Sequence, residues 1–135
     1  MKLRLLLLLA LLPLLAACAV AAAPQNPTNP TTLEFTVSAD DTALDHGILI
    51  VTRYDLEIVN AAGGIVVTQS LGKPTPVAGV ATFNGLAPLL TALPPGTYTA
   101  RVAAVGPGGT TRSLPSSPFA VAVRAPGAPG SVVIR

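Results

Sequence analysis

The fold class is decided by residues 93–109, which read LPPGTYTARVAAVGPGG. Between Thr97 and Val105, Tyr98 and every second residue after it point to one face, and Thr97 and its alternates point to the other. This period of two is typical of a β-strand that packs one face against a core. Proline and glycine residues flank the run, and both residue types are common in turns. The stretch therefore predicts a long strand that begins and ends at tight turns.

Shorter runs of the same kind lie on both sides of this strand. In residues 52–59, Tyr54, Leu56 and Ile58 share one face, and charged residues occupy the other. A turn containing Gly63 and Gly64 leads into a β-branched partner run at residues 65–70. Three further strands are predicted, at residues 33–37, 80–83 and 119–123. No stretch has the period of an amphipathic helix, so the pattern predicts an all-β sandwich or barrel.

Four features together resemble a fibronectin type III domain: residues 93–98, the alternating run that follows, the glycine-rich loop, and Ser116-Ser117-Pro118. The resemblance covers residues 32–124 and is stronger in its second half. Two features depart from the family, because the early strand has no tryptophan and a first strand is not evident. A generic immunoglobulin-like sandwich with a different strand order is the alternative.

The resemblance implies a structural role for the residues that open the long strand. In the family, the tyrosine equivalent to Tyr98 forms a "tyrosine corner", in which its hydroxyl bonds to upstream backbone. Pro95 and Gly96 would form the preceding turn, and we expect the acceptor to lie near Leu93. The family sometimes carries a cell-binding Arg-Gly-Asp sequence on the loop at residues 106–109, and that sequence is absent here.

The N-terminus has the pattern of an export signal. Lys2 and Arg4 precede an apolar run, and Leu15-Ala16-Ala17-Cys18 resembles the bacterial lipobox. That resemblance implies cleavage before Cys18 and acylation of its thiol and new amine, and several acyl chains together give a stable membrane anchor. We therefore expect a lipid-anchored protein of the cell envelope, on the outer membrane or cell surface. The alternatives are a secreted protein cut near Ala23 and an uncleaved membrane helix over residues 5–23.

Counting from Cys18 leaves 118 of the 135 residues, enough for one domain. The expected organisation is a signal peptide at 1–17, a lipidated N-terminus and proline-rich tether at 18–31, the sandwich at 32–124, and a linker with a β-prone tail at 125–135. The tail run at 131–134 is apolar, so two hypotheses stay open. Either the run pairs with a sheet edge of its own domain or of a neighbouring domain, or it is a frayed terminus.

Charge argues against a nucleic-acid partner. The chain has eight Lys and Arg residues, of which Lys2 and Arg4 belong to the leader, so six basic residues balance six acidic ones in the expected product. The sequence pI of about 9.1 thus reflects the leader and not a basic surface. Cys18 is the only cysteine, so the exported domain is expected to lack a disulfide.

Few residues could carry chemistry. The weak candidates for a metal site are Asp40, Asp41, Asp45 and His46, in a polar stretch predicted to be a loop. Their spacing does not match the calcium-loop pattern, so a solvated loop is the preferred interpretation. Lys73 is likewise predicted to be a solvated turn residue. No cofactor and no catalytic residue are predicted.

The expected function is a non-catalytic interaction or scaffold module that offers loops or a sheet edge to another envelope protein. The alternative is a lipoprotein that binds a cation or small polar ligand through residues 40–46. Because a fold alone does not determine function, the sequence leaves the partner unidentified.

Overall fold

The computed structural model describes residues 26–124 and Pro126. Over this part of the chain the protein is an all-β sandwich, which confirms the predicted fold class. The signal segment 1–17, Cys18 and the tail at 127–135 lie outside the described residues. The expectations for them stay predictions.

Two antiparallel sheets form the sandwich. In the smaller sheet, β1 (Leu33–Thr36) pairs with β6 (Val80–Phe83). The larger sheet has the order β5 (Ile65–Gly72), β4 (Arg53–Asn60), β7 (Gly96–Gly106) and β8 (Gly109–Arg112). β9 (Phe119–Val121) pairs with the start of β7, on the same side as β8. Two very short strands, β2 (Leu44–Asp45) and β3 (Ile48–Leu49), form a separate hairpin.

The core lies between the two sheets and follows the predicted alternation. Leu56 and Ile58 on β4 are fully buried, and Tyr98 and Ala100 on β7 lie beside them on the same face. Leu33 on β1 packs against this cluster from the opposite sheet. Fully burying such a side chain contributes about 1.5–3 kcal/mol, so this contact between the sheets stabilises the sandwich.

The structure contains a short helix that the sequence pattern did not predict. It is α1 (Leu86–Thr91), which connects β6 to β7 and buries Leu86 and Leu90 against the core. These two residues are four positions apart and so lie on one helix face. Six residues are too few to display a helical period, which is why the prediction missed this element.

The end of the predicted tether differs from the expectation. Instead of remaining a spacer to Thr31, the chain forms a parallel bridge between Thr28 and Ala120 of β9. The Asn29 amide nitrogen donates to the Ala120 carbonyl at 2.8 Å, and the Ala120 amide donates to the Pro27 carbonyl at 2.9 Å. The side-chain amide of Asn29 forms two more bonds with Ala122. This segment covers the outer edge of β9, in place of the first strand that the sequence did not reveal.

Candidate functional site

The candidate site is built on the β2–β3 hairpin, inside the stretch that the sequence predicted to be a loop. Asp45 pairs with Ile48, which leaves His46 and Gly47 as a two-residue turn. Both turn residues have positive φ, 49° and 81°, as a type I′ turn requires. Glycine adopts such angles freely, and histidine is among the residues that tolerate them best.

The hairpin presents apolar side chains to solvent. Leu44 and Ile48 are 61% and 58% exposed, and Leu49 and Ile50 are also exposed. Asp45 and His46 at the hairpin tip contribute polar groups to a recess of about 370 Å³. The rest of its lining is these four apolar residues together with Pro107 and Gly108 of the β7–β8 turn. We call these six residues the hairpin platform. Contiguous exposed apolar groups of this kind commonly mark a binding surface.

A buried polar network fixes the base of the hairpin. Asp41 is 6% exposed, accepts a hydrogen bond from the Tyr54 hydroxyl at 2.8 Å, and forms an ion pair with Lys73 at 3.2 Å. Lys73 Nζ also donates to the carbonyl of Asp41 and to that of Val51, the latter at 2.6 Å. One ammonium group therefore links the two chain positions that bracket residues 42–50. Lys73 is exposed, as predicted for a solvated turn residue, but its ammonium group bonds inward to these acceptors.

Tyr54 sits at the centre of this network. Its hydroxyl donates to Asp41 and accepts a hydrogen bond from the Ser38 amide at 3.0 Å. Burial, followed by the hydrogen bond to Asp41, raises the pKa of Tyr54 to about 12. The phenol is therefore neutral at physiological pH and serves as a fixed donor. Its ring also packs against Phe35 of the opposite sheet, with 5.2 Å between ring centroids.

The hairpin also packs closely against the end of β7. The Thr52 amide and hydroxyl both donate to the Val105 carbonyl, at 2.8 and 3.0 Å. Gly106 lies directly against the carbonyl of Ile50, with no space for a side chain between them. The platform is thus held from two sides, by Lys73 below and by the β7 backbone beside it. A surface fixed in this way loses little conformational entropy when it binds.

The structure separates the four weak metal candidates. Asp41 points inward to Tyr54 and Lys73, whereas Asp40 is exposed. Asp45 and His46 lie at the hairpin tip with side chains 76% and 93% exposed, 3.6 Å apart at their closest charged atoms. Within the described part of the chain, no cluster of three or more His, Cys, Asp or Glu residues is arranged to hold a metal. No specific observation therefore favours the alternative of cation binding through residues 40–46.

A second buried charge lies on the outer face of the larger sheet. Glu57 is 5% exposed and accepts hydrogen bonds from Arg101 at 2.6 Å and from Arg112 at 3.0 Å. The hydrogen bond from Arg112 is the main cause that holds the pKa of Glu57 below its ordinary value. Local pattern alone does not pair these residues, although Glu57 and Arg101 each lie on the outward face of a predicted strand.

Tyr98 opens β7 at the opposite end of the sandwich. It is 5% exposed, and its hydroxyl donates to the Pro94 carbonyl at 2.8 Å. That acceptor is one residue from Leu93, near which the sequence placed it. Pro95 and Gly96 form the turn between them, and Gly96 lies against the Tyr98 ring. These three residues are structural and far from the hairpin platform.

Comparison with protein families, curated protein sequences and solved structures finds no match to this chain. Among the residues that the structure describes, no helix has the length and apolar character needed to cross a bilayer.

Proposed function

We propose that this protein is an exported, membrane-anchored lipoprotein whose domain is a non-catalytic interaction module of the fibronectin type III-like kind. In this proposal Cys18 carries the lipid, and the hairpin platform binds an apolar surface of another envelope protein. The observation that carries the proposal is the combination of exposed Leu44 and Ile48 with a part-buried ion pair, Asp41 with Lys73, that keeps their hairpin in place.

The energetics of the hairpin support a binding role. Apolar side chains gain about 25 cal/mol for each Å² removed from water, and the platform residues forgo that gain in the free domain. Burying the Asp41 carboxylate is costly unless a partner such as Lys73 satisfies it. Here Asp41 and Lys73 hold the hairpin in place, although its exposed apolar residues are not part of the core. A partner that covers Leu44 and Ile48 would remove their apolar surface from water and so gain that free energy.

The two buried carboxylates of the domain support binding rather than catalysis. Asp41 and Lys73 are paired with each other, and Glu57 is paired with two arginines. Each of these groups therefore holds backbone or neighbouring strands in position. General acid–base chemistry needs a titratable group that is free to exchange a proton with a substrate.

The fibronectin-like assignment rests on the Tyr98 hydroxyl bond to upstream backbone and on the two antiparallel sheets of short strands. A strand order that differs from the family would leave the interaction proposal intact, because the platform depends only on the hairpin and the β7–β8 turn.

Site-specific photo-crosslinking in intact cells tests the binding role. A photoreactive residue at Ile48 should form a discrete adduct with a partner protein, and one at exposed Ala62, in the β4–β5 turn, should not. The Ile48 adduct should disappear in a Leu44→Ser variant whose unfolding midpoint is unchanged. Equal crosslinking from the two positions, or an adduct that survives Leu44→Ser, would contradict the proposal.

The anchor has a separate test. The N-terminal peptide of the exported protein should begin at Cys18 and carry the mass of attached acyl chains, and a Cys18→Ser chain should leave the detergent phase. An unmodified Cys18 thiol in the exported protein would overturn the anchor and leave the platform proposal untouched.

A further inference from the structure

One edge of the larger sheet is open. β5 pairs with β4 along one side, and within residues 26–124 no strand pairs with its other side. An edge strand presents unpaired backbone N–H and C=O groups, which form a template for another strand. Ile65 and Val66, at the start of β5, are also exposed apolar residues.

β5 lacks most of the features that keep edge strands from pairing. Its sequence, IVVTQSLG, contains no charged residue and no proline, the two residue types that most often block an edge. The next charged residue along the chain is Lys73, and its ammonium group is bound to Asp41 and Val51. That ammonium group is therefore engaged by Asp41 and Val51.

The opposite edge of the same sheet is protected from pairing. There the edge of β9 is covered by Pro27 and Asn29, which bond to Ala120. β8 has only four residues and includes Arg112. Among the long strands of this sheet, and as far as residues 26–124 show, β5 is the one whose edge is both open and uncharged.

We propose that β5 pairs in antiparallel fashion with β5 of a second copy of this chain, so that the two larger sheets become continuous across a two-fold axis. An antiparallel ladder is self-complementary under such an axis, and each partner contributes the same surface. Because β5 carries no charge, no like charges face each other across the new ladder. The pairing occupies the open edge of both copies, so the assembly stops at a dimer.

The irregularities of β5 set the centre of the new ladder. Its pairing with β4 shifts register between Ile58 and Val59 and again between Tyr54 and Asp55. These shifts leave Val66 and Leu71 as extra residues on β5. The regular segment between them is 67–70, so the two-fold axis passes between Thr68 and Gln69. This proposal concerns a different surface from the hairpin platform and does not depend on it.

The test compares two threonine substitutions in the full chain, purified in one detergent. Thr68→Lys places a charge on the open edge, and Thr110→Lys places the same charge on β8, where Thr110 is equally an exposed threonine. Sedimentation should show dimers for the unmodified chain and for Thr110→Lys. The dissociation constant of these dimers should be at least about tenfold lower than that of Thr68→Lys. In the unmodified chain, amide exchange at 67–70 should slow as the protein concentration rises, because the dimer then forms.

Three results would overturn the proposal. The first is a monomeric unmodified chain at every concentration, with fast exchange at 67–70. The second is an unaltered dimer in Thr68→Lys. The third is loss of the dimer in a chain that ends at Ala125, because the occupant of the edge would then be the tail at 131–134 and not a second β5. Equal unfolding midpoints of the two lysine variants at low concentration show that both variants fold.

Discussion

Glu57 and Arg112 are 55 positions apart in the sequence and form a hydrogen-bonded ion pair at 3.0 Å on the outer face of the larger sheet. Glu57 on β4 is separated from β8 by β7, so the pair spans three strands together with Arg101. A carboxylate at 5% exposure is costly to bury alone, and the two guanidinium groups offset that cost. The group therefore ties β8 to the centre of the sheet.

The first prediction concerns acid stability. The hydrogen bond from Arg112 lowers the pKa of Glu57 below its ordinary value of 4.5. The stability that this group contributes is therefore fully present above pH 4.5 and is lost as the pH falls through the lower folded-state pKa. Glu57→Gln should reduce the acid dependence of the unfolding free energy, measured in urea at several pH values. Glu34→Gln, at an exposed carboxylate on β1, is the matched control. Identical acid dependence in Glu57→Gln and the unmodified chain would contradict the assignment.

The second prediction tests how Lys73 holds the hairpin. Lys73→Met removes the donor to the Asp41 and Val51 carbonyls and leaves the Asp41 carboxylate without its cation. Because the Lys73 side chain is 28% exposed, solvent screening limits the loss to about 1–3 kcal/mol. The Ile50 amide, which bonds to the Ala43 carbonyl, should exchange faster.

The control for Lys73 is Arg53→Met. Arg53 pairs with Asp55 at 3.1 Å with its side chain 50% exposed, so its loss should cost about 1 kcal/mol or less. Equal costs for the two substitutions would show that Lys73 is an ordinary surface cation.

The third prediction uses the raised pKa of Tyr54. Tyr54 and Tyr98 are the only tyrosines, so a Tyr98→Phe chain reports Tyr54 alone. Its phenolate absorbance should appear near pH 12 in the folded protein and near pH 10 after unfolding. The stability from the neutral phenol is present below pH 10 and is lost as the pH rises through about 12. A folded-state transition at pH 10 would place Tyr54 outside the network.

The fourth prediction concerns the Tyr98 hydroxyl. Tyr98→Phe leaves the Pro94 carbonyl without its donor, and because Pro94 is exposed the loss should be that of an ordinary hydrogen bond, about 0.5–1.5 kcal/mol. The loss should appear as a lower urea midpoint with unchanged denaturant dependence. An unchanged midpoint would show that water replaces the hydroxyl at no cost.

The sequence predicted the long strands well because each shows a period of two over many residues. The run 52–59 corresponds to β4, and 65–70 corresponds to most of β5. The inward face of β7 was also predicted, with Tyr98 and Ala100 buried. In these strands, local pattern and tertiary burial agree.

The candidate site was much harder to predict. β2 and β3 have two residues each, too few to show alternation, and Ile48 and Leu49 stay exposed where apolar residues are expected to be buried. Lys73 reaches acceptors 22 and 32 positions away in the chain, a relationship set by packing and not by local spacing. The Gly47 turn signal was visible in the sequence, and taken with the apolar run after it could have suggested a hairpin.

The last prediction concerns the contact between Gly106 and Ile50. A Cβ built on Gly106 overlaps the Ile50 carbonyl oxygen, whereas one built on Gly108 meets nothing within 4 Å. Gly106→Ala must therefore push the hairpin away from β7 or distort the end of that strand, at a cost of about 1–3 kcal/mol. Gly108→Ala is the matched control, because it adds the same methyl group two residues along and restricts the unfolded chain equally. Gly106→Ala should lower the urea midpoint and speed exchange of the Thr52 amide, which bonds to Val105. If both alanine variants unfold at the same midpoint, the hairpin is not seated on the β7 backbone.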